Sequence, residues 1–323
     1  MTLTRETNTR TPAGPHPRPL PKGEGEGPSR FWAWQAKASP YLFILPFVVL
    51  FLCFMLYPLV RSIVLSFYNS AGPRKNVFVG LGNYHFLLHD RLFWLAVFNT
   101  VLFTVLFLMF QIPTSLGLAL LLNNKGVRFR NFFRFAFFSS HLVGNVFVAV
   151  LFLLLLAPRQ GLVNKMIGGV FPFIGTEINW RGNAMLAMPA MVLASLWLSI
   201  GYGMIYFLAA LQAVDQELYE AAEVDGAGRW SRFWNVTLPG IRPVLIFILL
   251  VGTIGAFQLF ELPYIFFDGP GPGFAGLTIV MYLFQQGFEA GNIGYASAVG
   301  WVLVLILFLV ALAQLKMTRA MND

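Results

Sequence analysis

The sequence predicts an all-α membrane protein with six transmembrane helices, and its composition and hydropathy support that prediction. Of the 323 residues, 57% are hydrophobic and only 11% are charged, whereas soluble globular domains contain about 25% charged residues. The mean hydropathy is +0.69. Six separate stretches of the chain are mostly apolar over about 20 residues, the length that an α-helix needs to cross a bilayer.

The same composition excludes two other classes of protein. A chain that is so rich in apolar residues is not disordered over most of its length. Cys53 is the only cysteine and lies in an apolar run. A secreted scaffold held together by disulfides is therefore excluded as well.

The predicted organisation is a tail followed by a transmembrane domain. Residues 1–35 are predicted to be a disordered cytoplasmic tail, because the stretch from Thr11 to Pro28 is rich in Pro and Gly and almost devoid of apolar residues. Residues 36–323 are predicted to form the transmembrane domain. Its spans lie at about 41–60, 93–122, 132–156, 185–211, 243–267 and 295–315.

Basic residues predict the orientation of these spans. Six spans place both termini on one side of the membrane, and the side with more Lys and Arg is the cytoplasmic one. The two termini, the loop 123–134 and the loop 212–243 together contain fifteen Lys and Arg residues, against seven on the opposite side. We therefore expect both termini and the loop 212–243 to be cytoplasmic.

The sequence contains no recognisable catalytic motif. It has no GxxxxGK[ST] phosphate loop, no HExxH metal motif and no paired carboxylates within the spans. A GxGxxG pattern at Gly271 to Gly276 includes a proline and follows no strand, which argues against dinucleotide binding. His85 and His89 are four residues apart, but a third metal ligand at suitable spacing is lacking, which favours surface histidines over a metal site. We therefore predict neither a catalytic residue nor a metal or cofactor bound by this chain.

Polar residues within the spans are candidates for a solute pathway. Glu261 is the one carboxylate predicted deep in a span, and Gln258 would share its face of the fifth helix. A charge at that depth costs several kcal/mol unless it faces water or a partner. The alternative is that Glu261 lies near the end of its span and reaches interfacial water. Weaker candidates, each of which could instead form an interhelical hydrogen bond, are Asn99, Gln111, Asn145 and Tyr202.

The loop 212–243 is the most unusual segment. Asp215 is predicted to cap a short helix, whose small residues Ala221 and Ala222 allow another surface to approach closely. Glycines end this helix, and Trp230, Phe233 and Trp234 then form an apolar stripe on a second short helix. Five of the chain's fourteen acidic residues lie within eleven positions here, namely Asp215, Glu217, Glu220, Glu223 and Asp225. Such a pair of helices requires a protein partner or a membrane surface.

The run from Glu220 to Pro239 resembles the EAA loop of binding-protein-dependent ABC importer permeases. That pattern is Glu-Ala-Ala, three residues, Gly, nine residues, Ile or Val, one residue, and Leu-Pro. This chain matches it at Glu220, Ala221, Ala222, Gly226, Val236, Leu238 and Pro239. The order of the spans around the loop, over about residues 35–320, is similar to the carbohydrate-uptake permeases of the type I importers, the maltose F-subunit and glycerol-phosphate A-subunit group.

Two departures from that group limit what the resemblance implies about the substrate. The group often has Asp where Glu261 stands, and a Thr-x-Gly-Gly-Pro turn where this chain reads Phe267-Asp268-Gly269-Pro270. The chain also lacks the extra N-terminal spans and the large periplasmic domain of the maltose F-subunit. It is therefore closer to the six-span members.

The resemblance implies a type I ABC importer permease fold in the bacterial cytoplasmic (inner) membrane. This chain would form a heterodimer with a second homologous permease, surrounded by membrane lipid and with no nucleic acid partner. Two cytoplasmic ATPase subunits would bind ATP and Mg, and an extracytoplasmic solute-binding protein would deliver a sugar or oligosaccharide.

The same resemblance assigns roles to residues. The residues that would couple the ATPase to this subunit are Glu220, Ala221, Ala222, Asp225, Gly226, Leu238 and Pro239. Gln258 and Glu261 would receive the substrate, and the further pathway candidates are Tyr202, Asn145 and Gln111.

A stand-alone secondary transporter or channel for a small polar solute is the alternative. That class predicts internal repeats, broken helices and several intramembrane charges, whereas this sequence shows one intramembrane Glu and no clear related halves. Candidate substrates include mono-, di- and oligosaccharides, polyols and glycerol phosphate. The scarcity of basic residues within the spans favours a neutral ligand over an anionic one.

Overall fold

The computed structural model describes residues 30–70, 76–124, 126–171 and 177–320. Most of the predicted tail, residues 1–29, lies outside these ranges. The structure differs from the predicted end of the tail at residue 35, because a helix begins at Arg30. The aromatic and alanine residues between Phe31 and Ala38 resemble the span that follows more than the Pro- and Gly-rich stretch before them.

The chain divides into two units, residues 1–59 and 60–323. The first unit contains α1 (Arg30–Phe51), a π-helical segment (Leu52–Leu56) and the first residues of α2 (Tyr57–Leu65), a helix that ends in the second unit. Residues 39–65 of this stretch are long and apolar enough to cross a membrane.

After the end of α2, the second unit contains a hairpin and then consists mainly of helices. Strand β1 (Tyr68–Ser70) pairs antiparallel with β2 (Asn76–Phe78), and Tyr68 lies opposite Phe78. The helices that follow are α3 (Gly82–His89), α4 (Arg91–Asn123), α5 (Arg130–Ser139), α6 (Asn145–Leu155), α7 (Leu162–Val170), α8 (Ala184–Ala213), α9 (Gln216–Val224), α10 (Arg229–Arg232), α11 (Leu238–Phe257), α12 (Glu261–Phe267), α13 (Ile279–Phe284) and α14 (Ile293–Ala320). A 3₁₀ turn (Ser140–Leu142) follows α5, and a π-helical segment (Phe233–Thr237) joins α10 to α11.

Five helical stretches of the described chain are long and apolar enough to span a membrane, and a sixth is added if one bent pair is counted as a single span. The bent pair is 130–142 with 145–155, whose axes differ by 103°. It occupies the predicted span 132–156, which is therefore not a straight helix. Gly144 separates the two halves in an extended conformation, with φ −67° and ψ 148°.

The predicted fifth span, 243–267, is also divided. Helix α11 ends at Phe257, and Phe260 has a non-helical backbone with φ −140° immediately before α12 begins at Glu261. Pro263 contributes to this break because it has no N–H to donate to a carbonyl of the preceding turn. The prediction that Gln258 and Glu261 share a face of one helix is therefore wrong, since they lie on either side of the break.

Helices α4, α8 and α11 form the centre of the second unit. Phe103 of α4 and Met191 of α8 are buried in one cluster with Ala256, near the end of α11. A second cluster contains residues later in α4 and α8 and earlier in α11, namely Leu116, Phe207 and Ile241. Thus α4 and α8 run in the same direction, and α11 runs in the opposite one. We call the end at which α8 stops and α11 starts the α9 end, and the other the α3 end.

At the α3 end, hydrogen bonds attach the segment before α13 to α4. The Asn99 side-chain amide donates to the carbonyl oxygens of Phe274 and Leu277, at 2.8 and 3.1 Å. The hydroxyl of Thr100 accepts from the Ile279 N–H at 3.0 Å. Asn99, a weaker pathway candidate from the sequence, is thus buried in contacts between segments.

Candidate functional site

A cavity of about 490 Å³ lies between α4, α6, α8, α11 and the start of α12. The residues that line it include all five that the sequence analysis assigns to the substrate pathway, namely Gln111, Asn145, Tyr202, Gln258 and Glu261. The structure therefore brings together five polar residues that come from five different helices or helix ends.

The break between α11 and α12 provides two polar groups of the cavity. Gln258 caps the C-terminus of α11 through its backbone N–H, and Glu261 is the first residue of α12. Both side chains line the cavity, although no single helix carries them. Within the described part of the chain, neither side chain forms a hydrogen bond, so each is available to a bound solute or to water.

The bend between α5 and α6 delivers two further residues to the opposite wall. Asn145 is the first residue of α6, directly after the extended Gly144. His141 belongs to the 3₁₀ turn just before the bend, and its ring centroid lies 4.8 Å from that of Tyr202 on α8. A straight helix over 132–156 would place these two side chains differently, so the bend shapes this wall.

Gln111 forms the buried floor of the cavity. Its side chain is only 2% exposed, and its Oε1 atom is buried without a hydrogen-bond partner. The Nε2 atom lies 3.5 Å from the hydroxyl of Ser115, which in turn donates to the Ile200 carbonyl at 3.0 Å. Gly203 permits this contact between α4 and α8, because a Cβ atom there would lie 2.6 Å from Gln111 Nε2. An unpaired buried acceptor of this kind is costly unless water or a ligand reaches it.

The electrostatics of the cavity favour a neutral polar ligand. Glu261 is the one acidic side chain among the described lining residues, and these include neither Lys nor Arg. The remaining polar groups are amides and hydroxyls, with aromatic rings beside them. Such a wall can donate to and accept from sugar hydroxyls, and rings can stack on the apolar face of a sugar.

Sequence reasoning missed several residues of this wall. Ser195 and Ser199 precede Tyr202 on α8 and line the cavity with it. Their spacing of four and three residues is the signal that could have identified them, since it places all three on one helix face. The same holds on α4 for Phe103 and Phe107, which stand eight and four residues before Gln111.

The predicted coupling segment forms a short helix at the α9 end. The Asp215 carboxylate accepts from the Glu217 N–H at 3.1 Å and so caps α9. At the other terminus, Gly226 has φ +77° and its N–H donates to the Glu223 carbonyl at 3.0 Å, while the Ala227 N–H donates to the Ala222 carbonyl at 2.9 Å. This is the Schellman arrangement, and glycine fits it because the left-handed conformation strains other residues.

Two side-chain contacts attach helix α9 to α10 and to the π-helical segment that precedes α11. Arg232 forms a salt bridge with Glu223 at 2.8 Å, and the Tyr219 hydroxyl donates to Thr237 at 3.1 Å. The predicted coupling residues Glu220, Ala221, Asp225, Gly226 and Pro239 are exposed, whereas Ala222 and Leu238 are half-buried. The exposed fractions of Trp230 and Trp234 are 75% and 58%. The segment therefore presents acidic and aromatic groups on a surface that no described residue covers.

Two helices connect this segment to the cavity. Helix α8 carries Ser195, Ser199 and Tyr202 in the cavity wall and ends at Ala213, two residues before the cap of α9. Helix α11 begins at Leu238, inside the EAA-like pattern, and its later turns form the opposite wall. A displacement of α9 would therefore act directly on two walls of the cavity.

A second polar cluster lies at the α3 end, around the residue that directly precedes α4. Asp90 caps α4, and its carboxylate accepts hydrogen bonds from the Leu92 N–H at 2.9 Å and from the hydroxyls of Tyr282 and Tyr295. Partial burial acts to raise the pKa of Asp90, but these hydrogen bonds outweigh it and hold the pKa below its ordinary value. No local sequence pattern identifies this cluster, because Asp90 is 192 and 205 residues away from the two tyrosines.

His85 and His89, the pair weighed as metal ligands, lie in α3 near this cluster. The His89 Nδ1 atom is 2.9 Å from the His85 carbonyl oxygen, and their ring centroids are 4.6 Å apart. Among the described residues, no group of three or more His, Cys, Asp or Glu side chains could hold a metal ion.

Comparison with known protein families matches residues 27–321 to the family described as binding-protein-dependent transport system inner membrane component. The arabinooligosaccharides transport system permease protein AraP of Bacillus subtilis is 38% identical over 286 residues, covering 88% of this chain and 90% of that protein. The lactose transport system permease protein LacF of Rhizobium radiobacter is 36% identical over 281 residues, with 86% and 93% covered.

The trehalose/maltose transport system permease protein MalF of Thermococcus litoralis is 32% identical over 293 residues, covering 90% of this chain and 96% of that protein. Among solved structures, the chain is similar to one in a bacterial ABC transporter involved in the import of the acidic polysaccharide alginate. That likeness has a TM-score of 0.78 at 24% identity and covers 91% of this chain and 100% of the other. At this identity the likeness shows a shared fold.

Proposed function

This chain belongs to the family of binding-protein-dependent transport system inner membrane components, and on that premise we propose that it is the permease subunit of an ATP-driven carbohydrate importer. Family membership confirms the predicted resemblance to binding-protein-dependent importer permeases, and the shared fold confirms the predicted type I permease architecture. The family description names a transport system that depends on a binding protein, which argues against the alternative of a stand-alone transporter or channel.

The observation that supports the proposal most directly is the connection between the cavity and the EAA segment. In the proposed mechanism, cytoplasmic ATPase subunits bind ATP and Mg and grip α9 through Glu220 and the small residues Ala221 and Ala222. Closure of the ATPases then moves α8 and α11 together, which changes the access of the cavity from one side of the membrane to the other. The contacts of α9 with Arg232 and Thr237, which lie in the two segments just before α11, support such a joint movement.

The proposed assembly contains four kinds of partner. A second permease pairs with this chain to complete the pathway, and two ATPase subunits lie at the α9 end. A solute-binding protein delivers the substrate at the α3 end, as the family description implies. A solved structure with a similar chain is of a bacterial alginate ABC transporter in complex with an alginate pentasaccharide-bound periplasmic protein. In this assembly both termini are cytoplasmic, and the membrane is the bacterial inner membrane.

The proposed substrate is a neutral saccharide. The names of three relatives refer to arabino-oligosaccharides, to lactose and to trehalose or maltose, all of which are uncharged. The cavity agrees with this class, because its one charged group is the Glu261 carboxylate, which would repel the carboxylates of an acidic saccharide. Gln258 and Glu261 would bind sugar hydroxyls at the helix break, and Tyr202, Asn145 and Gln111 would complete the wall.

The test is a charge reversal at the proposed ATPase contact. We expect Glu220→Lys to insert into the membrane normally but to lose the ATPase subunits during purification and to abolish sugar uptake. Glu289→Lys, an exposed acid at the other end of the unit, is the matched control and should retain both. Normal co-purification and uptake by the Glu220→Lys variant would contradict the coupling role.

A further inference from the structure

Aromatic rings continue from the cavity along one side of α8 and α11. The centroid of the Tyr202 ring, in the cavity wall, lies 4.6 Å from that of Tyr206, and Tyr206 lies 5.4 Å from Phe247. On the other side of Tyr202, the His141 ring is 4.8 Å away. Four rings therefore form an unbroken series, of which only His141 and Tyr202 line the cavity itself.

The two outer members of the series, Tyr206 and Phe247, lie on the α9 side of the cavity. Tyr206 is one helical turn after Tyr202 on α8, which runs toward the α9 end. Phe247 lies on α11, which runs away from the α9 end, and it directly precedes the cavity residue Ile248 and is one turn before the cavity residue Val251. Both rings therefore extend the cavity wall in the direction of the proposed cytoplasmic exit.

The rings of Tyr206 and Phe247 are not part of the hydrophobic core. The exposed fractions of Tyr206 and Phe247 are 38% and 42%, and neither residue belongs to a buried cluster. Their neighbours on the inner sides of the same helices, Phe207 and Ile248, are buried at 0% and 2% exposure. The core is thus complete without these two rings, which leaves their faces open beside the cavity.

We propose that Tyr206 and Phe247 form a release track for the saccharide, along which sugar rings stack as they leave the cavity toward the cytoplasm. This proposal rests on the proposed import function. Aromatic faces suit the apolar faces of sugar rings, and stacking needs no fixed hydroxyl pattern, so a sugar can slide from one ring to the next. Because the series begins at Tyr202, a saccharide of several units reaches Tyr206 and Phe247 while its other end is still in the cavity.

If sugars leave along this track, the effect of removing its rings should depend on saccharide length. Removing the rings should slow the exit of long saccharides more than that of a monosaccharide, which leaves the cavity without touching both rings. The concentration that gives half-maximal uptake should stay unchanged, because capture involves the binding protein and the cavity rather than the track. Each lost ring should lower the maximal rate for the longer saccharides by about two- to tenfold.

The experiment uses the complete importer, with both permeases, the ATPases and the binding protein, reconstituted in liposomes. The probes are arabinose and arabino-oligosaccharides of increasing length, with lactose, trehalose and maltose as further neutral sugars. We compare the wild type with Tyr206→Ala combined with Phe247→Ala, and with Tyr206→Phe, which keeps the ring. Phe308→Ala is the matched control, because Phe308 is an exposed ring on α14, away from the cavity.

We expect the double variant to have a lower maximal uptake rate than the wild type, and we expect this reduction to increase with saccharide length. Tyr206→Phe and Phe308→Ala should have normal rates. Equal rates for the double variant and the wild type at every length would overturn the track. Loss of the second permease from the purified double variant would also overturn it, since the rings would then be part of the permease interface. If the wild type imports no saccharide, the proposed function itself is wrong.

Discussion

The cavity and the Asp90 cluster are both polar regions within an apolar protein, but they differ in whether their polar groups are hydrogen-bonded within the protein. In the cluster, the carboxylate of Asp90 receives three hydrogen bonds from a backbone N–H and two tyrosine hydroxyls. In the cavity, no described residue bonds the side chains of Gln258 and Glu261, and the Oε1 atom of Gln111 has no partner. Paired groups stabilise the fold, whereas unpaired groups are available to a ligand.

Because of this difference, substitutions in the Asp90 cluster should affect the stability of the protein, and substitutions in the cavity should affect transport. Removing one partner of a paired polar cluster leaves the others unsatisfied, which costs more than the hydrogen bond was worth. Removing a polar group that has no partner in the protein costs the fold little. The two regions should therefore respond differently to the same kind of substitution.

The largest expected effect is on the Asp90 cluster. Asp90→Ala removes the shared acceptor of two tyrosines that are only 2% and 7% exposed, and it also removes the cap of α4. The Tyr282 and Tyr295 hydroxyls are 3.3 Å apart and can partly satisfy each other. We expect the free energy of unfolding to fall by about 2–3 kcal/mol, seen as a lower apparent unfolding temperature in detergent.

Glu289→Ala is the control for this substitution, because Glu289 is an exposed acid of the same end of the unit. It should leave the unfolding temperature unchanged. An Asp90→Ala protein that is as stable as the wild type would show that the cluster does not hold α3, α13 and α14 together.

The next effect is on the cavity. The variant Gln258→Ala with Glu261→Gln should lower sugar uptake by about tenfold or more, which corresponds to the loss of hydrogen bonds to a charged group and an amide. The unfolding temperature and the co-purification of partner subunits should not change, since neither side chain is bonded within the described chain. Unchanged uptake kinetics in liposomes would remove both residues from the pathway.

The smallest effect compares two asparagines that the sequence alone does not distinguish. Asn99→Ala loses two hydrogen bonds to backbone carbonyls and should destabilise the protein by about 1–2 kcal/mol. Asn145→Ala loses none within the described residues and should change stability little while lowering uptake. Measuring both properties for both variants tests the contrast directly, and equal destabilisation by the two would contradict it.

How much of the fold could be predicted depends on whether the signal is local. Length and hydropathy located the apolar stretches, because crossing a bilayer requires a long apolar run whatever its neighbours are. Length and hydropathy could not detect the bend at Gly144 or the break at Phe260, because an apolar run has the same hydropathy whether its helix is straight or bent. The error over Gln258 and Glu261 arose there, from assuming one helix through Pro263.

The candidate site divides in the same way. The EAA-like segment was recognisable because its residues are close in sequence and each is needed locally, as the turn at Gly226 illustrates. The five cavity residues were identified one by one as polar groups in apolar runs, but their common location was not predictable. Ser195 and Ser199 were missed although their helical spacing to Tyr202 marks one face.

The sequence by itself determined that this chain is a membrane-spanning permease of a known family, and it located the loop between α8 and α11 that we propose as the coupling segment. The physical reason is that bilayer crossing and a short-range motif are both encoded in neighbouring residues. Only the tertiary structure decided which polar residues meet around the cavity and which, like Asn99 and Asp90, are hydrogen-bonded within the protein. It also decided which aromatic rings extend beyond the cavity. Those outcomes depend on contacts between residues far apart in the chain, which packing alone brings together.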